Sequence, residues 1–207
     1  METTQAISAR ALNKQRNRQK LLDAGAQAIH KYGFKATTID RIQEISGLSR
    51  GMVNQYFDNM EGLLWAVAEQ LMQDYLRNWQ SAIEHPELST ADKIRTMFKA
   101  DLSDTVLNPQ CVAIWFSFRA EVPKTYNFRA LIDEGDQKNH RKFKNLCAAL
   151  SKEGGYPEGD SDLAALTFTA LLEGFWTDFH LHPDIFNPDR AMQALLHSAK
   201  SFFPDHF

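Results

Sequence analysis

The chain has 207 residues, of which 43% are hydrophobic and 24% charged, with a net charge of −3. Those proportions suit a soluble globular protein, and no uninterrupted apolar run approaches the roughly 18 residues that a membrane span needs. The polar start, residues 1–8, lacks the basic-then-apolar order of a signal peptide, and Cys111 and Cys147 are too few and too distant for a disulfide framework or a zinc ribbon, so a cytoplasmic protein with two buried, reduced thiols is expected.

The charge is unevenly spread. Through Met60 nine Lys or Arg (Arg10, Lys14, Arg16, Arg18, Lys20, Lys31, Lys35, Arg41, Arg50) face five acids, a balance of +4, which leaves −7 for the remainder. A basic head on an acidic body presents one end to a polyanion, although a solvated basic helix would carry the same charge.

Helical periodicity dominates, and Gly and Pro mark the breaks, so an all-α chain of about nine helices is expected. The first runs from near residue 14 to 32, with Leu22, Ala26 and Ile29 as its apolar stripe and Gly33 as its end. Thr37 and Asp40 resemble a capping box opening a short second helix that Gly47 ends, and Ser49 is placed to cap a short third helix carrying Met52, Val53 and Tyr56. Asn59 caps a long fourth helix with a stripe from Leu64 to Trp79. Further helices are expected over 89–107, 109–122 and 124–152, then from 161 to about 181 and, capped by Asn187, from 188 to about 203.

The second and third helices, joined through Ser46-Gly47-Leu48-Ser49 behind a basic first helix, make a helix-turn-helix. Ser49 would set its hydroxyl and the first-turn N–H groups at a phosphate, while Arg50, Asn54, Gln55 and Tyr56 project towards a major groove. The order Gly33-Phe34-Lys35-Ala36-Thr37-Thr38-Ile39, Ile42, Gly47-Leu48-Ser49-Arg50-Gly51, Tyr56-Phe57, Glu61-Gly62-Leu63-Leu64 closely resembles the DNA-binding head of the TetR family. In the body, Trp115 within residues 113–118, Pro123, residues 140–147 and Leu171-Leu172-Glu173-Gly174-Phe175-Trp176 resemble the C-terminal region of BetI-type repressors. The chain departs from the family pattern at Gln43 and Ser46, where small Ala is usual, and at Met60, where the family has a lysine that holds a DNA phosphate.

The resemblance implies a DNA-binding domain over 1–58, with Lys14, Arg16, Thr37, Thr38, Arg41, Ser49, Arg50, Gly51, Asn54, Gln55 and Tyr56 as candidate DNA contacts, and a ligand-binding and dimerisation domain over 59–207. It further implies a homodimer through the last two helices, to which Leu171, Leu172, Phe175, Leu195, Leu196 and Phe202 supply apolar surface, on near-palindromic double-stranded DNA. BetI-type members repress genes that convert choline to glycine betaine and respond to choline. Trp115, Phe118, Tyr126 and Trp176 with Glu173 are therefore the candidate ligand cage, because aromatic faces beside a carboxylate hold a quaternary ammonium. Asp104, Glu121 and Asp178 are further candidate counter-charges.

His180 and His182 at a helix end suit the helix dipole better than a metal, since no third ligand is suitably spaced, and neither metal nor cofactor is expected. The chain contains no nucleophile elbow, phosphate-binding glycine loop or H-E-x-x-H, which argues against an enzyme. The expected function is a repressor released from its operator by a small molecule, choline or a similar cation. The alternatives are a repressor of an efflux or catabolic operon that senses a bulky apolar compound, and a helical enzyme or interaction module.

Overall fold

In the computed structural model the described residues are 9–121 and 126–207, and they form nine α-helices. α1 (Ala9–Tyr32) starts several residues earlier than expected and ends at Gly33, whose φ of +82° closes the turn as its N–H reaches Ile29 O at 2.8 Å. α2 (Ile39–Ser46) is capped by Thr38 rather than Thr37: the Thr38 side chain accepts the Arg41 N–H, while the buried Thr37 hydroxyl donates to Gly33 O at 2.9 Å. Gly47, at φ +68°, makes the tight turn, and the Ser46 hydroxyl steadies it by accepting the Leu48 N–H at 3.1 Å. The usual Ala at position 46 could not do this.

α3 (Gly51–Phe57) has no side-chain cap. Arg50 occupies the cap position in helical geometry, and Ser49 contributes its carbonyl, which accepts the Met52 N–H at 2.9 Å, instead of the expected hydroxyl. α4 (Met60–Ile83) follows at once, its first turn held by Asn59, which accepts the Gly62 N–H at 2.8 Å. A Cβ on Gly62 would lie 2.1 Å from Phe57 O, so only glycine lets the two helices meet so closely.

α5 (Thr90–Asp101) stops well short of residue 107, because Ser103 and Asn108 hydrogen-bond the carbonyls of Ala100, Asp104 and Thr105 and convert the segment into turns. Asn108 then accepts the Cys111 N–H at 3.0 Å and starts α6 (Pro109–Glu121). α7 (Tyr126–Gly154), α8 (Glu158–Leu181) and α9 (Pro188–Phe202, capped by Asn187) complete the body. Cys147 is buried, and burial pushes its thiol up to about 12; Cys111 is only half-buried, contrary to expectation.

Two apolar clusters organise the chain. The first joins α1–α3 to the N-terminal half of α4 (Leu63, Leu64, Val67) and takes Ile114 and Phe118 from α6. The second lies among α4–α9, around Trp79, Phe98, Phe143, Phe168 and Phe203. Three helices thus reach both: α4 along its length, α6 by its faces, since Trp115 and Phe116 pack on the second cluster while Ile114 and Phe118 pack on the first, and α7, which sits in the second and lays Leu131 on the first.

Candidate nucleic-acid interface and small-molecule cavity

On the head, Ser49, Arg50, Gly51, Asn54 and Gln55 are exposed together around α3, and Lys14 and Arg16 are exposed on the N-terminal half of α1. Tyr56 is half-buried against the head cluster. Arg50 reaches back to an ion pair with Asp40 on α2, both side chains about two-thirds exposed, where such a pair adds little stability but fixes the guanidinium beside the recognition surface. Arg41 is tied more firmly: it lies 4.1 Å over the Tyr32 ring and donates to Ala36 O. Thr37, expected at the DNA, is instead a buried tie between α1 and α2, and the exposed Thr38 is the cap. Met60, in place of the family's lysine, packs half-buried on the head cluster.

In the body a cavity of about 100 Å³ opens among α4, α5, α6, α7 and α8. Tyr75 and Trp79 enter from α4, Trp115 from α6, Phe143 from α7 and Trp176 from α8. Tyr75 is the hub, its ring 5.4 Å from Trp79, 6.2 Å from Trp115 and 5.5 Å edge-on to Trp176, while Trp115 and Trp176 meet at 5.7 Å. Asp101, the last residue of α5, is 1% exposed within this aromatic wall, with the Tyr75 hydroxyl and the Trp79 N–H as the polar groups that act on its carboxyl. Burial pushes its carboxyl up to about 7, against the opposing pull of the nearby Tyr75 hydroxyl and Trp79 N–H, and burial together with the Asp101 charge drives the Tyr75 phenol well above its ordinary range.

A second polar group closes another part of the wall. Arg119 Nη2 donates to both Asp136 oxygens at 2.9 and 2.8 Å and to Glu173 at 3.3 Å, and the guanidinium lies 4.9 Å over Trp115. Burial raises Asp136, which Arg119 partly offsets and Glu173 reinforces. A larger chamber of about 430 Å³ shares Tyr75, Trp115 and Trp176 with the first. Chemically, a buried carboxylate supplies charge complementary to a cation, and the surrounding ring faces favour a methylated ammonium.

A model of the BetI-type transcriptional repressor C-terminal region matches residues 90–204, and one of the bacterial regulatory proteins of the tetR family matches residues 21–67. The chain belongs to the TetR family, with a BetI-type C-terminal region. This TetR-family chain is a DNA-binding transcriptional repressor and not an enzyme. It is 28% identical over 180 residues to the transcriptional regulator BetI of Serratia proteamaculans, covering 84% of this chain and 86% of that one, and 27% identical over 178 residues to BetI of Stenotrophomonas maltophilia, with the same coverage. Its fold matches a transcriptional regulator from Pseudomonas aeruginosa PAO1 with a TM-score of 0.82 at 22% identity over 93% of each chain. It also matches one from Saccharomonospora viridis, solved in complex with choline, with a TM-score of 0.79 at 15% identity over 88% of this chain and 95% of that one.

Of the ligand residues expected in this BetI-type body, Trp115, Trp176 and Glu173 line one cavity. Phe118 does not: it points the other way along α6 into the head cluster, edge-on to Phe34 at 5.2 Å. The side chain of Tyr126 lies outside the described residues. Asp104, Glu121 and Asp178 are absent from the cavity lining, and His180 stacks on Phe116 at 4.9 Å. The residue that sequence reasoning missed is Asp101, although Ile94, Met97, Phe98 and Asp101 stand at i, i+3, i+4, i+7, an apolar stripe interrupted by a carboxylate.

Two of the residues proposed for the dimer surface are corrected. Leu172 and Leu195, at 5% and 0% exposure, are sealed in the protomer's own core and have no surface to offer, and Leu171, Phe175, Leu196 and Phe202 lie half-buried at its edge. The large exposed apolar side chains on and just after α8 are Leu163, Leu166, Leu181 and Ile185. Among the described residues no helix is long and apolar enough to cross a membrane.

Proposed function

We propose that this repressor works in the cytoplasm as a homodimer and releases a near-palindromic operator when choline, or a similar small quaternary ammonium, enters the cavity of Asp101. The observation that carries this is the buried Asp101 carboxylate enclosed by Tyr75, Trp79, Trp115 and Trp176. An ordinary ammonium or guanidinium carries more N–H groups than the Asp101 carboxylate faces, whereas a methylated ammonium needs only charge and ring faces. The choline held by the Saccharomonospora viridis protein supports the same ligand class. A volume of about 100 Å³ favours a ligand of a few heavy atoms over a bulky apolar compound, for which the larger adjoining chamber is the better candidate.

Residues 1–58 then serve as the DNA-binding unit, and 59–207 sense and dimerise. Asn54 and Gln55 read base edges beside Arg50, while Lys14 and Arg16 hold phosphates. A second copy covers Leu163 and Leu166 on α8, setting two recognition helices about 34–36 Å apart, one turn of DNA. Two of the helices common to both clusters, α4 and α6, carry the signal. α4 bears Tyr75 and Trp79 in the cage and Leu64 in the head core, roughly 16–22 Å away along one rod at about 1.5 Å per residue. α6 bears Trp115 on its cavity face and Phe118 on its head face. A cation that draws the Tyr75, Trp115 and Trp176 rings together therefore shifts the bases of both heads, and it releases DNA to the extent that it prefers the shifted state.

The test is an operator duplex obtained by selection from random DNA, with binding followed by fluorescence anisotropy. Saturating choline should weaken binding about 5–150-fold. Release by a neutral apolar compound, with no heat or stability change from millimolar choline, would instead establish the efflux-type alternative.

A further inference from the structure

Hydrophobic packing does not by itself fix the rotation of α6. Val112, Ile114, Trp115, Phe116 and Phe118 leave it apolar on every side, so a turn about its axis exchanges one apolar face for another. The ion pairs of Arg119 do fix it. Its Nη2 donates to the Asp136 oxygens on α7 at 2.9 and 2.8 Å and to Glu173 on α8 at 3.3 Å, while the guanidinium covers Trp115, one turn back on α6. The side chains of Arg119 and Asp136 are 29% and 39% exposed, so solvent and salt screen this pair less than the open one between Arg50 and Asp40.

Asp136 is firmly mounted. The preceding Gly135 is buried so close to α4 that a Cβ on it would lie 2.2 Å from Met72 Cε. Arg119 therefore ties α6 to the contact between α4 and α7. One residue earlier, Phe118 points the other way and meets Phe34 edge-on at 5.2 Å. Phe34 follows Gly33, which ends α1, and its carbonyl accepts the Thr37 N–H at 3.2 Å in the turn that leads into α2.

We infer that Arg119 is a positioning residue for DNA binding: by pairing with Asp136 and Glu173 it locks α6 to α4 and α7 in the register that seats Phe118 on Phe34, and so holds α2 and α3 where the operator is bound. The lock acts before any effector arrives. It requires that α6 bears on the head, not that a cation occupies the cavity.

Operator affinity without effector tests this, measured by fluorescence anisotropy on the full-length protein and accompanied by thermal unfolding of each variant. Arg119→Met keeps the reach of the side chain and removes its charge, and should weaken operator binding about 2- to 30-fold. Arg119→Lys should restore much of it, since a single nitrogen makes all three contacts and an ammonium has the donors to replace it. Asp136→Asn separates the lock from simple charge: it makes the acidic body less negative, which alone would tighten binding to DNA, whereas a loosened lock weakens it. In a Phe34→Leu background Arg119→Met should cost less than it does in the wild type, because the contact through which it acts has already been weakened. Wild-type affinity in Arg119→Met, no recovery in Arg119→Lys, tighter binding in Asp136→Asn, or additive effects of Arg119→Met and Phe34→Leu would each overturn the lock and leave the cation site at Asp101 standing. If Arg119→Met does not fold, Asp136→Asn, which keeps the side-chain volume, decides between the two outcomes.

Discussion

Replacing Asp101 by Asn removes a charge and keeps the volume, so it separates what the carboxylate does for binding from what it costs the fold. Raising the carboxyl from an ordinary 3.8 to about 7 costs the folded protein about 4 kcal/mol at pH 8, at roughly 1.36 kcal/mol per pH unit. The amide is also unpaired, which takes back about 1–3 kcal/mol, so the net gain of Asp101→Asn is about 1–3 kcal/mol. For a chain of this length that raises Tm by roughly 2–12 °C. The sign follows from the folded value being the higher one: the protonated carboxyl contributes its full stability below about pH 4 and loses it as the pH rises to about 7. The advantage of the variant should therefore hold level from pH 8 to about pH 7 and shrink steadily from there to pH 4. Calorimetry should show choline binding lost in the variant and, in the wild type, weakened about tenfold for each pH unit below 7. A variant that is less stable than wild type at pH 8 and still binds choline would refute this assignment of Asp101.

Trp115→Ala and Trp176→Ala should each lose about 0.5–2 kcal/mol of choline affinity, read by calorimetry, while unliganded operator binding holds. If Lys14 and Arg16 each neutralise one phosphate, their double replacement by Ala should lower the slope of log affinity against log salt by about 1.8 and weaken all DNA sequences alike. Gly62→Ala sets a Cβ 2.1 Å from Phe57 O and should abolish operator binding through the head while the heat of choline binding persists; retention of both would show that the α3–α4 junction can yield.

The fold was legible where backbone chemistry is local. Gly33, Gly47, Asn59, Asn108 and Asn187 each sit where a helix must end or begin, and the structure uses every one of them. Thr37 and Thr38 were confused because adjacent threonines can both cap, and burial decides which one faces the helix end. Phe118 was misplaced for a different reason: Val112, Ile114, Trp115, Phe116 and Phe118 leave α6 apolar all round, so periodicity cannot say which residues face the cavity and which the head. Leu172 and Leu195 show the same limit, since a core position and a dimer position look alike when both are apolar at helical spacing. Asp101 escaped because acids are assumed to be solvated, and its burial depends on helices up to 75 residues away in the chain, with Trp176 as the far wall.

The most direct test of coupling between cavity and head is the affinity of choline for the dimer, measured by calorimetry once alone and once with saturating operator DNA. Linkage requires the operator-bound protein to bind choline about 5–150-fold more weakly, the same factor by which choline weakens operator binding. Equal choline affinity in the two states would mean that the Asp101 cavity and the head are uncoupled, and that choline is not the signal that releases this repressor.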